Sequence, residues 1–258
     1  MFTFDIVLDF SKTGYQPEVV EHLENLISCL YDARQILNEE DCSFVCAENT
    51  LRVSVTCSEL DSLNPRNCTV FGKNCLERIE NTLQMPIQFT PSGNDPRFTP
   101  YLDDVKPSFY VLNFSGYSPL VNGDSKERIP LYKIPHTYHD NACYNDIQFW
   151  NNNYNRIYGL WFNGAVGEQF ARQQMQDPNS ALSKQGRAVC QRIEEVTGMP
   201  TYYYLFNYRK RTRQQDLAWK CPLTGKDWLI EVDKRSHFMA FRCEESRLVS
   251  TFTRNSAV

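Results

Sequence analysis

No run of eighteen apolar residues occurs in this sequence, so no membrane-spanning helix is expected. Histidine is scarce, at four in 258 residues. There is no His-Glu-x-x-His pair, no Gly-x-Ser-x-Gly elbow and no glycine-rich loop after a strand that could cradle a phosphate. Metalloprotease, serine-hydrolase and P-loop chemistry are thereby excluded. Gly164-Ala-Val-Gly167 lies in an aromatic, helical stretch rather than behind a strand, so it does not form a dinucleotide loop. Internal repeats and low-complexity tracts are also absent. No catalytic set emerges, and the chain is expected to be a non-enzyme.

What is present is a large apolar fraction. Hydrophobic residues make up 41% and aromatics 13%, enough to bury a core. The net charge is -4, so no global basic field draws the chain to nucleic acid or to an anionic membrane. The charge is uneven. Before residue 201 there are 16 Lys and Arg against 25 Asp and Glu; from there on the balance is 11 against 6. An acidic body therefore carries a basic tail. The ten cysteines follow no disulfide framework, and the alternating, acid-bearing start Met1–Asp9 argues against a secretory signal. Reduced thiols and a cytoplasmic location are expected. The Asn67-Cys-Thr69 sequon has no meaning without export.

Phe2, Phe4, Ile6, Leu8 and Phe10 alternate, which predicts a strand. Pro17 opens a helix expected to reach about Asn38, with Val20, Leu23, Ile27, Leu30, Arg34 and Leu37 along one stripe. Cys42–Ala47 and Leu51–Cys57 read as a hairpin turning at Glu48-Asn49-Thr50. Residues 73–84 read as a helix and Pro86–Phe89 as a closing strand. That order predicts an α+β fold opening with a ferredoxin-like βαββαβ unit over residues 1–90. A proline-rich linker is expected over Thr90–Pro107. Beyond it, Phe109–Phe114 is a predicted strand, Ser118–Ser125 a loop and Ile129–Ile134 an edge strand. Residues 91–208 form a mixed α/β middle region, helical and aromatic-rich over 140–198. Gly159, Gly164 and Gly167 divide that stretch, Ser180 caps its last helix and Gly198 stops it. Tyr202–Tyr208 reads as a strand. Residues 209–258 read as a β-hairpin of zinc-ribbon type.

The chemistry-bearing residues lie in the tail. Cys221-Pro-Leu-Thr224-Gly-Lys and Cys243-Glu-Glu-Ser246 have the spacing of two ribbon knuckles, 22 residues apart. Each keeps its first Cys and carries a hydroxyl where the second thiolate belongs. Cys221 and Cys243 are therefore read as the remnant of a metal site, in a hairpin packed by Trp219, Trp228, Phe238 and Phe241. No cofactor is expected; zinc is the one metal the pattern could take, with His237 as a further nitrogen donor. His136, His139 and Cys143 have metal-like side chains, but Pro135 sets His136 outside any helix shared with the other two. Cys190 lies on an apolar stripe between Arg187 and Arg192 and reads as a core thiol.

Arg187–Phe206, then Cys221-Pro and Trp228, then Cys243–Ser250 resemble an uncharacterised bacterial family of zinc-ribbon proteins for which nucleic-acid binding is suggested. The resemblance spans roughly residues 155–250 and implies a ribbon fold and a nucleic-acid partner. The family has Cys where this chain has Thr224 and Ser246.

Two functions follow as expectations. The first is a non-catalytic, cytoplasmic protein that binds a cognate protein partner: an immunity-type inhibitor masking a toxin domain. Its acidic contacts would come from Glu39, Glu40, Asp41, Asp103, Asp104, Asp124 and Glu127. The alternative is nucleic-acid binding through Arg209, Lys210, Arg211, Arg213, Lys220, Arg242 and Arg247. Neither requires a membrane.

Overall fold

The computed structural model describes residues 1–37, 42–96, 105–115, 117–164, 166–209, 211–230 and 239–253. It is a mixed α+β protein with two sheets and several helices. The chain divides into two compact units. One comprises Met1–Asp104, Gly116–Ser118 and Glu127–Asn145; the other comprises Val105–Ser115, Pro119–Lys126 and Asp146–Val258. Among the described residues, no helix is long and apolar enough to cross a membrane.

In the first unit the elements run β1 (Phe2–Asp9), α1 (Pro17–Asp32), β2 (Ser43–Ala47), β3 (Thr50–Cys57), α2 (Val70–Leu83) and β4 (Gln88–Asn94). The sheet order is β2-β3-β1-β4, with every neighbouring pair antiparallel. The alternation in β1 turns Phe4, Ile6 and Leu8 into the core, where they meet Val53 and Val55 of β3 and the apolar stripes of both helices. Each fully buried Leu or Ile contributes about 1.5–3 kcal/mol of transfer free energy. Pro17 starts α1 because its fixed φ suits a first turn and its missing N–H has no helical partner there. The helix buries Val19, Leu23, Leu26, Ile27 and Leu30 and stops at Asp32, short of Asn38. Arg34 adopts φ 58°, a left-handed conformation that breaks the helix. Thr69 caps α2 by accepting from the Gly72 N–H at 3.1 Å, so that helix begins before residue 73.

Three other expectations change. The strand β4 runs to Asn94, through the start of the predicted linker, because β1 is long enough to pair it up to Asn94. Leu131–Lys133 forms a 3-10 turn rather than an edge strand. Pro130 cannot donate to a ladder, and the Lys133 N–H closes the turn on the Pro130 carbonyl at 3.1 Å. His139, Asp140 and Asn141 all have positive φ, so this segment is a tight turn rather than a helix start.

In the second unit a five-stranded sheet has the order β6-β5-β7-β9-β8. Its strands are β5 (Tyr110–Leu112), β6 (Leu120–Asn122), β7 (Thr201–Tyr204), β8 (Phe241–Cys243) and β9 (Leu248–Ser250). The Ser118–Ser125 stretch therefore contains a strand, not only a loop; three apolar-to-polar residues pair with β5. The pairs β5–β7 and β7–β9 are parallel, the outer pairs antiparallel. The helices are α3 (Asn145–Asn163), α4 (Glu168–Gln176), α5 (Ala181–Thr197) and the short α6 (Arg213–Leu217). The break between α3 and α4 falls at Gly164 and Gly167, both at positive φ. Ser180 caps α5 and Gly198 ends it in a left-handed conformation, as the sequence predicts. The hairpin of the second knuckle, β8–β9, is hydrogen-bonded into this sheet through β7.

Candidate functional site

The tail is built around four positions that the two knuckles bring together. The Cys221 thiol lies 3.2 Å from the Ser246 hydroxyl, and the Thr224 hydroxyl lies 3.6 Å from the Cys243 thiol. The first knuckle is closed by the Gly225 N–H donating to the Cys221 carbonyl at 2.8 Å and the Cys221 N–H donating to Lys226 at 2.9 Å. Gly225 has φ +68°, which a side chain would strain. Burial pushes the Cys243 thiol up. Hydrogen bonds from the Ser246 hydroxyl and backbone, from Thr224 and from Cys221 outweigh it and leave the thiol below its ordinary pKa.

Two sulfurs and two hydroxyls do not make a zinc site. Serine and threonine hydroxyls ionise far above neutrality, and a structural zinc needs four thiolate or imidazole-type donors. Among the described residues no group of three or more His, Cys, Asp and Glu could hold a metal. His237 lies outside the described residues. The hairpin is packed by rings instead. Trp219 and Trp228 have centroids 4.6 Å apart, Phe241 lies 5.1 Å from Trp219, and Phe252 lies 5.1 Å from Phe241. The Trp228 indole donates to the Trp219 carbonyl at 2.9 Å. Phe252 was not anticipated from sequence, and Phe238 lies outside the described residues.

The basic residues of the tail mostly have partners within the chain, though the Lys220 and Lys226 pairs are exposed on its surface. Arg211 stacks on Trp219 at 4.0 Å and faces the fully buried Asp216 at 3.6 Å. Asp216 in turn accepts from the Thr253 N–H and hydroxyl, both at 2.8 Å. Arg213 lies over the Phe252 ring at 4.0 Å. Lys220 pairs with Asp227, Lys226 with Glu245, and Arg242 with Glu244 at 2.9 Å. Arg247 grips Glu194 through two hydrogen bonds of 2.8 and 3.0 Å and reaches Glu244 at 3.2 Å. Arg209 is exposed; Lys210 lies outside the described residues.

The acidic candidates scatter differently. Glu39, Glu40, Asp41, Asp103 and Asp104 lie outside the described residues. Asp124 accepts from the Ser108 N–H at 2.5 Å and from its hydroxyl at 2.9 Å, so it closes a turn. Glu127 is exposed. His136 accepts or donates at the Asn141 carbonyl, 3.0 Å away, and burial lowers its pKa. Cys190 is a core thiol whose pKa burial raises well above the ordinary value.

The surface that sequence reasoning missed is apolar. Along α3 and its corner with α4, Phe149, Leu160, Phe162, Val166 and Phe170 are 52%, 41%, 70%, 75% and 53% exposed. Phe149 and Leu160 are eleven residues apart, which returns to the same face of a helix. The three-and-four spacing of Ile147, Trp150, Tyr154, Ile157, Tyr158, Trp161 and Phe162 predicts one inward stripe; Ile147, Trp150 and Tyr154 are buried, whereas Phe162 is turned out to solvent. Behind this surface, Trp161 contacts Phe206 at 5.1 Å and Tyr208 at 4.8 Å. Tyr208 and Arg209 line a cavity of about 640 Å³ with Arg172 and Asp177.

Comparison with known proteins gives a family. Residues 104–206 match a domain of unknown function, DUF2310. This span includes β5, β7 and the helices α3 to α5 and stops before the knuckles. The chain is 32% identical over 208 residues to an uncharacterized protein of Haemophilus influenzae, covering 78% of this chain and 77% of that one. A second uncharacterized protein of the same organism is 32% identical over 170 residues, covering 63% of this chain and 80% of its own. No solved structure matches. With that identity and coverage, the chain belongs to the bacterial DUF2310 family.

Proposed function

We propose that the protein acts without catalysis, by binding another protein, and that it is an immunity-type inhibitor masking a basic bacterial toxin domain. The observation that carries this reading is the exposed apolar surface of α3 and the α3–α4 corner. Several large apolar side chains exposed along one helix and its following corner point to an interaction surface more than a single exposed residue does. Its large rings are the residue types that dominate binding energy at interface centres. The acidic balance of the first 200 residues supports a basic partner, since opposite fields speed encounter. The internal pairing of Arg211, Lys220, Arg242 and Arg247 leaves fewer tail cations for phosphate contacts.

In this reading the first unit is ferredoxin-like, supported by its order β2-β3-β1-β4 and its all-antiparallel pairing. The tail is a zinc ribbon that has lost its metal, supported by the convergence of Cys221, Thr224, Cys243 and Ser246. Affinity isolation of the native chain from its host tests the function. A stoichiometric basic protein partner, lost in a Phe162→Asp, Phe170→Asp variant of unchanged stability, is the expected result. Recovery of nucleic acid without such a partner would overturn it.

One observation favours nucleic acid as a second reading. Tyr208 and Trp161 form a ring group beside Arg209 and Arg172, the combination that stacks bases and tracks phosphates. Salt-dependent retention of single-stranded DNA, lost in Arg172→Ala, Arg209→Ala, is its signature.

A further inference from the structure

A second cavity, of about 480 Å³, lies between α5 and the turn that joins β8 to β9. From α5 it is lined by Lys184, Arg187, Gln191 and Glu194, which follow one another at helical spacing. The opposite wall is Glu245, Ser246 and Arg247. Its floor therefore adjoins the second knuckle, whose Ser246 hydroxyl meets Cys221.

The charges in this cavity do not cancel. Glu194 is held by the Arg247 guanidinium and by the Thr201 N–H at 3.3 Å. Glu245 is paired outward with Lys226. Lys184 and Arg187 have no carboxylate partner among the described residues. Arg187 donates once, to the Pro178 carbonyl at 3.2 Å, and its buried Nε has no acceptor. The exposed Lys184 ammonium and the half-buried Arg187 guanidinium thus put two positive charges on one wall of the cavity with no carboxylate partner among the described residues to balance them. Two uncompensated positive charges, one of them a planar fork, suit a doubly charged oxyanion better than a single carboxylate. The volume exceeds that of the anion alone and falls in the range of small-molecule sites.

We propose that this cavity binds the phosphate group of a small phosphorylated ligand, with Lys184 and Arg187 as its charge partners and Arg247 held beside them by Glu194. The site is distinct from the apolar surface on α3 and α4, and stands whether or not that surface docks a protein.

The test is calorimetric titration of the full chain at constant ionic strength. The probes are inorganic phosphate, adenosine monophosphate, acetate and a single-stranded oligonucleotide. Phosphate and the monophosphate are expected to bind, acetate not. Lys184→Gln and Arg187→Gln should each weaken binding about tenfold or more, and Arg209→Ala should leave it unchanged. Lys184 is an exposed side chain, so its variant keeps the test valid if Arg187→Gln lowers stability. Absence of phosphate binding, equal binding by the Lys184 variant, equal binding of acetate, or binding confined to the oligonucleotide each overturns the proposal.

Discussion

The Cys221 thiol and the Ser246 hydroxyl, 25 residues apart, lie 3.2 Å from one another. The Thr224 hydroxyl lies 3.6 Å from the Cys243 thiol, so two thiols and two hydroxyls converge at this point. The hairpin keeps its closing hydrogen bonds, its left-handed Gly225 and a set of packed rings. Trp219, Trp228, Phe241 and Phe252 pack against one another in this part of the chain.

Two further thiolates at Thr224 and Ser246 should create a zinc site. The Thr224→Cys, Ser246→Cys variant is expected to bind one zinc per chain and to unfold at higher temperature when zinc is present. The native chain is expected to hold zinc well below one equivalent. Metal analysis of both proteins after purification without added zinc decides the point. One tightly held zinc in the native chain would show that a donor from elsewhere completes the set.

Asp216 ties the tail together. Its carboxylate is fully buried, accepts both donors of Thr253 and faces the Arg211 guanidinium at 3.6 Å. Asp216→Ala removes the side-chain acceptor of the Thr253 N–H and the counter-charge facing Arg211, and a loss of about 3 kcal/mol is expected in denaturant unfolding. A change below about 1 kcal/mol would mean that water replaces the carboxylate at little cost.

Gly186 lies where α5 crosses β7. A Cβ there would stand 2.3 Å from a Tyr203 ring carbon and 2.6 Å from the Trp150 indole nitrogen. Alanine improves helix propensity by about 1 kcal/mol, yet the clash with two fully buried side chains outweighs it. Gly186→Ala should destabilise by about 1–3 kcal/mol net, read from the same unfolding curves. Stabilisation instead would show that both rings can shift freely.

The Arg247–Glu194 pair gives a pH signature. The hydrogen bonds from Arg247 lower the Glu194 pKa, burial opposes them, and the Thr201 N–H adds to the lowering. A depressed folded-state pKa contributes stability above the unfolded value of about 4.3, lost as pH falls through the folded value. Both side chains are about one-third exposed, so screening limits the contribution to about 1 kcal/mol. Glu194→Gln should therefore cost about that much near neutrality and next to nothing in strong acid. A pH-independent difference would assign the effect to packing.

Phe149, Phe162 and Phe170 are predicted to matter for binding and not for stability. Replacing each by Ser should change unfolding free energy by no more than about 0.5 kcal/mol, since each is more than half exposed. A large loss of stability would reassign the surface to the core.

How much of this was readable beforehand differs by element. The alternation of Phe2 to Phe10 and the stripe of α1 specify which faces are buried, because a period of two or of 3.6 has one solution once a core exists. Ser180, Gly198 and the glycines between α3 and α4 marked helix ends through backbone chemistry that acts within a few residues. Leu120–Asn122 was not readable as a strand, since three residues carry no period and only pairing with Tyr110–Leu112 makes them one. The 3-10 turn at Leu131 and the reach of β4 failed for a related reason: hydrogen-bond partners distant in the chain decided them.

The same division holds for function. Composition, the missing catalytic motifs and the two half-knuckles were properties of the sequence alone, because ligand chemistry depends on residue type and local spacing. Tertiary structure alone decided which charges are spent. Arg211, Arg242 and Arg247 look like a free basic surface in one dimension, and folding brings Asp216, Glu244 and Glu194 against them. It left Lys184 and Arg187 uncompensated in a cavity and Phe149, Phe162 and Phe170 more than half exposed. Pairing and exposure are three-dimensional sums over distant residues, and no local window of sequence contains them.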